Sequence, residues 1–597
     1  MLKTALLMCT SRVAFLKTIT ALITLCLLSQ AHFAPAQTRA RPASRKGVIK
    51  GESGAKLDRI LTRYTMYGFS GTVLVAQGGK IILNRGYGLA DRKSGAPNTE
   101  DSVFAIGSLT KQFTAAAILQ LEDEGKLRTQ DLASKYLGEF PQDKAAITLH
   151  HLLTHTSGLI SDGANARLPL EDRDEYIEAV KRTRLRSQPG EKFYYSNVGY
   201  NLLAAIVEKV SGLSFEDYLQ QRLFKPAGMK STGFINRRAW NRALLSIGYE
   251  PAAIGSGSFS PGEIKPSKWD DRGAGGVLST TTDLYRWHLA LEGGRILSSD
   301  SKRKLYTPFL NDYAYGWEVR KTKQGTLAIQ HGGDVPGFQS WLARFPEEKL
   351  VVVMLINNRM RWRSLLTGTL VRVALGETLE LPPPLINMDA SALNRYVGVY
   401  QLPTGGQIHA WQSEGAYFIG AEGQDATDLL TRAGDKERSL YQSLNERATT
   451  LFEKFRRGEF EPLREFLGAT KPAGYVPEFQ QWWQDFERNN GALKSYQILG
   501  TARSRTGHAV TFIRVTYERA TKVLRLLWFD DKLDSYGSGV PRPAMAQYLP
   551  ESPTQFTSFD ILTSQLTSVR YDLKENGMVE NLIVPTKNGE VKARRIQ

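Results

Sequence analysis

Gly107-Ser108-Leu109-Thr110-Lys111 sets a hydroxyl and an amine three residues apart. A serine hydroxyl is too weakly acidic to attack a carbonyl unaided and needs a neighbour to take its proton. If a helix opens at Ser108, Lys111 lies beside it on the same face. The helix start also aims free N–H groups at whatever negative charge develops there. By itself, S-x-x-K equally describes a helix cap followed by a surface lysine. A second group is Tyr195-Ser196-Asn197. A phenol with a reference pKa of about 10 is a poor base. A neighbouring ammonium favours its phenolate, and lowering that pKa by about three units takes roughly 4 kcal/mol of interaction. Asn197 can hold Lys111 and a substrate amide together. Alone, this group equally describes a buried tyrosine at a helix start. The third group, His331-Gly332-Gly333-Asp334, follows the strand-like Thr326 to Gln330. Glycines there leave room for a substrate along the backbone, and the Asp334 N–H is a candidate oxyanion donor. The plainer alternative is a strand ending in a glycine turn.

In this order the three groups resemble those of the penicillin-recognising serine hydrolases: class C β-lactamases, D-alanyl-D-alanine carboxypeptidases and related esterases. The segment from His151 to Leu159 is similar to the family's HLLTHTSGL, Phe224 to Met229 to its F-x-P-L-G-M, and Gly275 to Thr280 to its G-G-L-x-S-T. Tyr315-Gly316-Trp317 resembles part of its Y-G-Y-G-W, so the likeness runs from about Ser70 to Asn358. It implies that Ser108 is the acyl-accepting nucleophile and that Lys111 and Tyr195 serve as base and later acid. The pair titrates as a unit, so the first proton acceptor stays open. It further implies that Asn197 contacts lysine and substrate, that His331, Gly332 and Gly333 line the substrate, and that the N–H groups of Ser108 and Asp334 form an oxyanion hole. No metal or organic cofactor is implied.

One departure bears on the substrate. True β-lactamases of the family read K-T-G where this chain reads His331-Gly332-Gly333. A permanent cation becomes an imidazole, mostly neutral at pH 7, and the hydroxyl that grips a substrate carboxylate is missing. The expectation is therefore an esterase or a peptidase acting on D-amino-acid, D-alanyl or other small amide substrates, rather than a dedicated β-lactamase. A contrasting hypothesis is a non-catalytic envelope protein that binds peptidoglycan or a partner. The complete set of Ser108, Lys111, Tyr195 and Asn197 argues against it, because a pure binder needs none of the four together. His151 and His155 stand four apart, as metal ligands do, but Leu152 occupies the place of the H-E-x-x-H glutamate, so both read as structural. There is no G-x-S-x-G elbow to support an α/β-hydrolase.

Several elements must position these groups. Gly71 to Ala76, a Gln77-Gly78-Gly79 turn and Ile81 to Leu83 read as a hairpin. Lys111 to Glu124 and Tyr200 to Val210 read as helices, the second stopped by Gly212, and Ser214 with Asp217 resembles a capping box. Strands return in Thr326 to Gln330, Gln339 to Phe345 and Leu350 to Ile356. Strands flanking a helical middle give an α+β plan in which the terminal strands share one antiparallel sheet. The expected hydrolase domain spans 56–380, and Leu381-Pro382-Pro383-Pro384 marks its end. Beyond it, short strands in 386–443 and 545–597 read as two halves of a small lipocalin-like β-barrel. They are interrupted over 444–540 by helices (Asn445 to Phe460, Val476 to Phe486) and long strands (Ala509 to Glu518, Lys522 to Phe529), resembling a nuclear-transport-factor-like cone. Tyr475, Trp482, Trp483 and Phe486 read as core aromatics of that cone, with a pocket lining as the alternative.

The 597 residues suit about three domains. Residues 1–36 read as a signal peptide: Lys3, Arg12 and Lys17 precede an apolar run from Ile19 to Leu28, too short to span a bilayer, and Ala34-Pro35-Ala36 offers a cleavage site. A basic linker over 37–55 follows. Both cysteines, Cys9 and Cys26, lie in the leader, so the mature chain has neither disulfides nor thiolate chemistry. The net charge of +17 becomes +14 without the leader. An exported, periplasmic or secreted protein of this kind has no use for nucleic acid, and no stable membrane span is expected after cleavage. The expected partner is a small-molecule or peptide substrate, cell-wall-derived ones included.

Overall fold

Leu350–Ile356 is an unbroken apolar run rich in β-branched residues, the pattern of a strand buried on both faces. In the computed structural model it lies in the middle of a sheet. The structure describes residues 47–597 except 162–167, 169–170, 252–258, 263, 265–267, 323–324, 359–362, 378–382, 414–415, 469–473, 505–507, 530, 539–541 and 561–564. The expected leader, both cysteines and Leu381-Pro382 lie outside the described residues.

Among the described residues the first sheet has seven strands: Val48–Ile49 (β1), Gly71–Gln77 (β2), Lys80–Tyr87 (β3), Glu318–Lys321 (β4), Leu327–Val335 (β5), Phe338–Phe345 (β6) and Leu350–Ile356 (β7). Their order is β1-β3-β2-β7-β6-β5-β4, antiparallel throughout. The N-terminal hairpin therefore pairs with the late strands through β2 and β7, as the α+β plan requires. Side-chain alternation splits β7 between two cores. Val352, Met354 and Ile356 meet Leu57 and Leu61 of Gly51–Thr65 (α1) and Leu366 and Leu370 of a later helix. Val351, Val353 and Leu355 face the helical subdomain. That subdomain centres on Thr110–Asp123 (α2), buried on every side from Thr110 to Leu119, and includes Leu149–Leu153 (α3), Asn197–Ser211 (α4), Phe215–Leu219 (α5) and Thr281–Glu292 (α6). The later helix on the opposite face is Arg363–Ala374 (α7).

Two expectations here need correction. Residues 48–55 are no linker: Val48 and Ile49 pair with Asn84 and Leu83, and α1 opens at Gly51. Its apolar stripe (Leu57, Ile60, Leu61, Tyr64) begins only after a polar first turn, which hid the start. The glycine motif after Gln330 does not end a strand either. Strand β5 runs on through Val335, because glycines at 332 and 333 still pair with Trp341 and Ser340 across β6.

The C-terminal part starts with Gly398–Gln401 (β8), Gln407–Ser413 (β9) and Ala416–Glu422 (β10). Helices Asp435–Arg456 (α8) and Tyr475–Asn490 (α9) then precede a four-stranded sheet of Leu493–Arg503 (β11), Ala509–Tyr517 (β12), Thr521–Phe529 (β13) and Lys532–Ser538 (β14). Ala546–Gln547 (β15), Leu549–Pro550 (β16), Gln555–Asp560 (β17), Gln565–Leu573 (β18), Val579–Thr586 (β19) and Gly589–Arg595 (β20) complete a nine-stranded sheet with β8–β10, ordered β15-β10-β9-β8-β20-β19-β18-β17-β16. Its two edge strands are separated only by Tyr548, so the sheet curls into a nearly closed, barrel-like form. Helix α8 begins ten residues before the expected Asn445, in a polar stretch that buries only Tyr441 and Leu444. Trp483 is 1% exposed within an aromatic core that also holds Phe452, Phe455 and Phe479, with Trp482 and Phe486 packed against it. Phe559 of β17 meets Tyr67 edge-on at 5.5 Å, which seats the barrel-like sheet against the α1 side of the hydrolase part.

Candidate active site

Ser108 sits in a tight 3₁₀ turn, Gly107–Leu109, that feeds directly into α2. Gly107 has φ +52°, and a Cβ there would stand 3.0 Å from the backbone N of Asp334. Only glycine gives both the left-handed backbone and that approach. Gly333 is as tightly placed, since a Cβ would run into the carbonyl O of Ile106. Ser340 of β6 donates to that same carbonyl (2.7 Å), tying the sheet to the turn. The Ser108 turn and the Asp334 N–H on β5 are thus brought side by side.

One turn into α2, Lys111 is wholly buried. Its Nζ donates to Asn197 Oδ1 (2.8 Å) and to the Ala274 carbonyl (2.9 Å) and lies 3.0 Å from Ser108 Oγ. Asn197 is the first residue of α4. Ser196 caps that helix by accepting from Gly199 N (3.1 Å), and the Asn197 N–H donates to Ser161 O (2.6 Å). The Ala274 loop is held by Thr114, which donates to Gly273 O (2.6 Å), by Gly273 N donating to Asn201 (3.0 Å), and by Arg272 between Glu216 and Glu208. Sequence reasoning quoted the neighbouring Gly275 to Thr280 segment but missed Ala274, whose contribution is a backbone carbonyl with no side-chain signature.

Burial opposes a charge on Lys111 and on Tyr195 alike. Desolvation drives the Lys111 ammonium well below the ordinary lysine range, with no carboxylate against it among the described residues. Desolvation likewise pushes the Tyr195 phenol up, only partly offset by its hydrogen bond with Ser108. The expected phenolate is therefore disfavoured, chiefly by the burial of the ring and its hydroxyl. Lys111 Nζ also stands 4.8 Å over the Tyr195 ring.

His331 is 3% exposed. Its Nδ1 donates to the Gly332 carbonyl (2.7 Å), and its Nε2 is 2.9 Å from the Tyr313 hydroxyl. A substrate carboxylate reaches this ring only by displacing Tyr313, so the ring is not the open replacement for a lysine that the motif suggests. His151 and His155 do not converge. His151 completes a capping box with Thr148, whereas Nδ1 of His155 accepts from Ser196 N (3.0 Å). Among the described residues no group of three or more His, Cys, Asp or Glu side chains is placed to hold a metal ion.

The Beta-lactamase family model matches residues 57–372, the part of the chain that carries this constellation. The chain belongs to that family of serine hydrolases. It is 28% identical over 391 residues to a penicillin-binding protein of Bacillus subtilis, covering 61% of this enzyme and 86% of that protein. To penicillin-binding protein PbpX of the same organism it is 35% identical over 294 residues, 49% of this enzyme and 71% of the relative. The octameric penicillin-binding protein homologue from Pyrococcus abyssi superposes with a TM-score of 0.51 at 18% identity. That match covers 91% of this enzyme and all of the other chain, a likeness of fold that extends past the hydrolase part. No helix among the described residues is long and apolar enough to cross a membrane.

Proposed function

We propose that the enzyme is exported and hydrolyses small esters or amides through an acyl-enzyme on Ser108, with D-amino-acid or D-alanyl substrates favoured over β-lactam antibiotics. One observation carries the reading. Asn197 Oδ1 and the Ala274 carbonyl can only accept, so they take two N–H bonds of Lys111 and leave its third tetrahedral direction facing Ser108 Oγ. That direction holds a proton in the ammonium and a lone pair in the amine, and burial favours the amine.

Lys111 then removes the Ser108 proton as Oγ bonds to the substrate carbonyl carbon. The N–H groups of Ser108 and Asp334 receive the oxyanion. Tyr195 passes its proton to the leaving alkoxide or amine as the carbon–heteroatom bond breaks, and is reprotonated from Lys111. Water repeats the cycle on the ester and frees Ser108. The names of the relatives support a cell-wall-derived substrate, and the His331-Gly332 departure supports a weaker hold on substrate carboxylates. The leader pattern of residues 1–36 supports export. The strand split around α8 and α9 supports reading 386–443 with 545–597 as one lipocalin-like barrel, and 444–540 as a transport-factor-like insertion.

Incubation with a fluorescent phosphonate or penicillin should label wild type on Ser108, located by peptide mass, and leave Ser108→Ala unlabelled. A panel of nitrocefin, p-nitrophenyl esters and D-alanyl peptides should show turnover of the latter two classes above nitrocefin. Absence of both label and turnover, with retained binding to peptidoglycan, would replace this reading with the non-catalytic one.

A further inference from the structure

His155 carries two local costs in the middle of the site. Its backbone is left-handed (φ +58°), a region uncommon for residues other than glycine, although histidine, like asparagine and aspartate, enters it more readily than most. Its ring is fully buried, and because Nδ1 accepts the Ser196 N–H at 3.0 Å, the ring proton must reside on Nε2. That Nε2 is buried without a hydrogen-bond partner among the described residues. A buried orphan donor on a strained backbone is what selection for stability alone removes, and such features persist where function holds them.

What the ring touches gives the function. Its centroid lies 4.2 Å from that of Tyr195, 4.6 Å from Tyr313, 5.0 Å from Tyr200 and 5.8 Å from Phe193. Lys111 Nζ sits over the Tyr195 and Tyr200 rings at 4.8 and 5.6 Å, so His155 and Lys111 share an aromatic wall. The Ser196 N–H held by Nδ1 lies between the two functional residues Tyr195 and Asn197. One imidazole thus packs on Tyr195 and ties down the main chain that presents Asn197.

We propose that His155 is a positioning residue for Tyr195 and Asn197, held as a neutral Nε2–H imidazole that keeps water away from Lys111. The inference rests on the acyl-enzyme reading for its kinetic consequence, whereas the ring's tautomer can be tested without it. The charged and titratable groups facing this ring are Lys111, His331, Tyr195, Tyr200 and Tyr313, with Glu318 acting on Tyr195 and Tyr313. Burial first, then the charges of Lys111 and His331, hold its pKa well below the ordinary histidine value.

Three measurements decide it. His155→Asn keeps a side chain suited to φ above zero and an oxygen for the Ser196 N–H, but removes the ring. Water then reaches Lys111 and raises its pKa, so the limb along which kcat/KM rises with pH should move at least about half a unit higher, with kcat down ten- to a hundredfold and KM nearly unchanged. His155→Phe keeps the ring and deletes the acceptor, so kcat should drop while that limb stays in place. In wild type labelled with ¹⁵N-histidine, the resonance missing from His155→Phe should report Nε2–H and not titrate between pH 5 and 9. An unmoved limb in His155→Asn reduces His155 to a structural residue and overturns the proposal. So does titration in that window of the wild-type His155 imidazole, assigned through its own backbone, a result readable even if neither variant folds. Failure of Ser108 labelling would instead strike the acyl-enzyme reading.

Discussion

Two charge sites in different parts of this enzyme, the Lys111 amine and the half-buried Glu422 carboxylate, are built in opposite ways. Lys111 is wholly buried among neutral partners, with no carboxylate against it among the described residues, and its charge is suppressed. Glu422, at the end of β10, faces two guanidiniums, Arg514 of β12 at 2.6 Å and Arg542 at 2.5 Å, with the His409 ring of β9 at 3.1 Å. Its carboxyl is held far below the usual range, chiefly by the hydrogen bonds from His409 and Arg514. The first arrangement sacrifices stability to keep a base uncharged and reactive. The second is an ion cluster linking the barrel-like sheet to the four-stranded sheet. The unpaired amine weakens the fold, whereas the paired carboxylate links two of its parts.

The largest expected effect sharpens that contrast. Lys111→Met should lower kcat/KM by at least about a thousandfold, while the melting temperature stays level or rises because an uncompensated buried amine is gone. A melting temperature that falls along with activity would break the comparison. In wild type, Lys111 must be neutral to act, so activity should climb with pH well below the usual lysine value of 10.5. Stability follows the same sign: the unfolded lysine binds the proton more tightly, so the cost of burying it fades as pH rises toward that value.

Tyr195→Phe should cost about a hundred- to ten-thousandfold in kcat, and its combination with Lys111→Met should be scarcely worse than Lys111→Met alone. Steady-state kinetics of the two single variants and the double variant check this, and cleanly multiplicative losses would mean that the residues do not share a proton.

At the other site the signs invert. Glu422→Gln leaves Arg514 and Arg542 facing each other and should destabilise the enzyme by about 2–3 kcal/mol at pH 7 in denaturant titration, with kcat per folded molecule unchanged. The stability Glu422 brings is complete above its ordinary value of 4.5 and is lost as pH falls below it, so the gap between wild type and variant should close in acid.

The smallest effect belongs to Asp271, on the loop that offers Ala274 to Lys111. Burial first, and Asp270 second, raise its carboxyl to about 7. The folded state therefore prefers it protonated, and stability should decline as pH climbs from about 4 through 7. Asp271→Asn should remove that decline, read as a flatter melting temperature against pH.

The sequence alone determined the pairing of Ser108 with Lys111 at a helix start, the neighbours at 195 and 197, and the antiparallel plan joining early and late strands. Those features rest on local spacing and on apolar alternation, which a linear pattern carries. It also placed the strands of the barrel-like sheet on both sides of an α+β stretch. Tertiary structure decided what no spacing encodes. The Ala274 carbonyl became the third partner of Lys111 because Arg272, Thr114 and Asn201 pin its loop. Lys111 and Tyr195 lost their expected charges because desolvation depends on everything packed around a group, not on its neighbours in the chain. His331 turned toward Tyr313 rather than to an open substrate position. His155, unremarkable as one of two histidines four apart, came to lie against Tyr195 only through the fold.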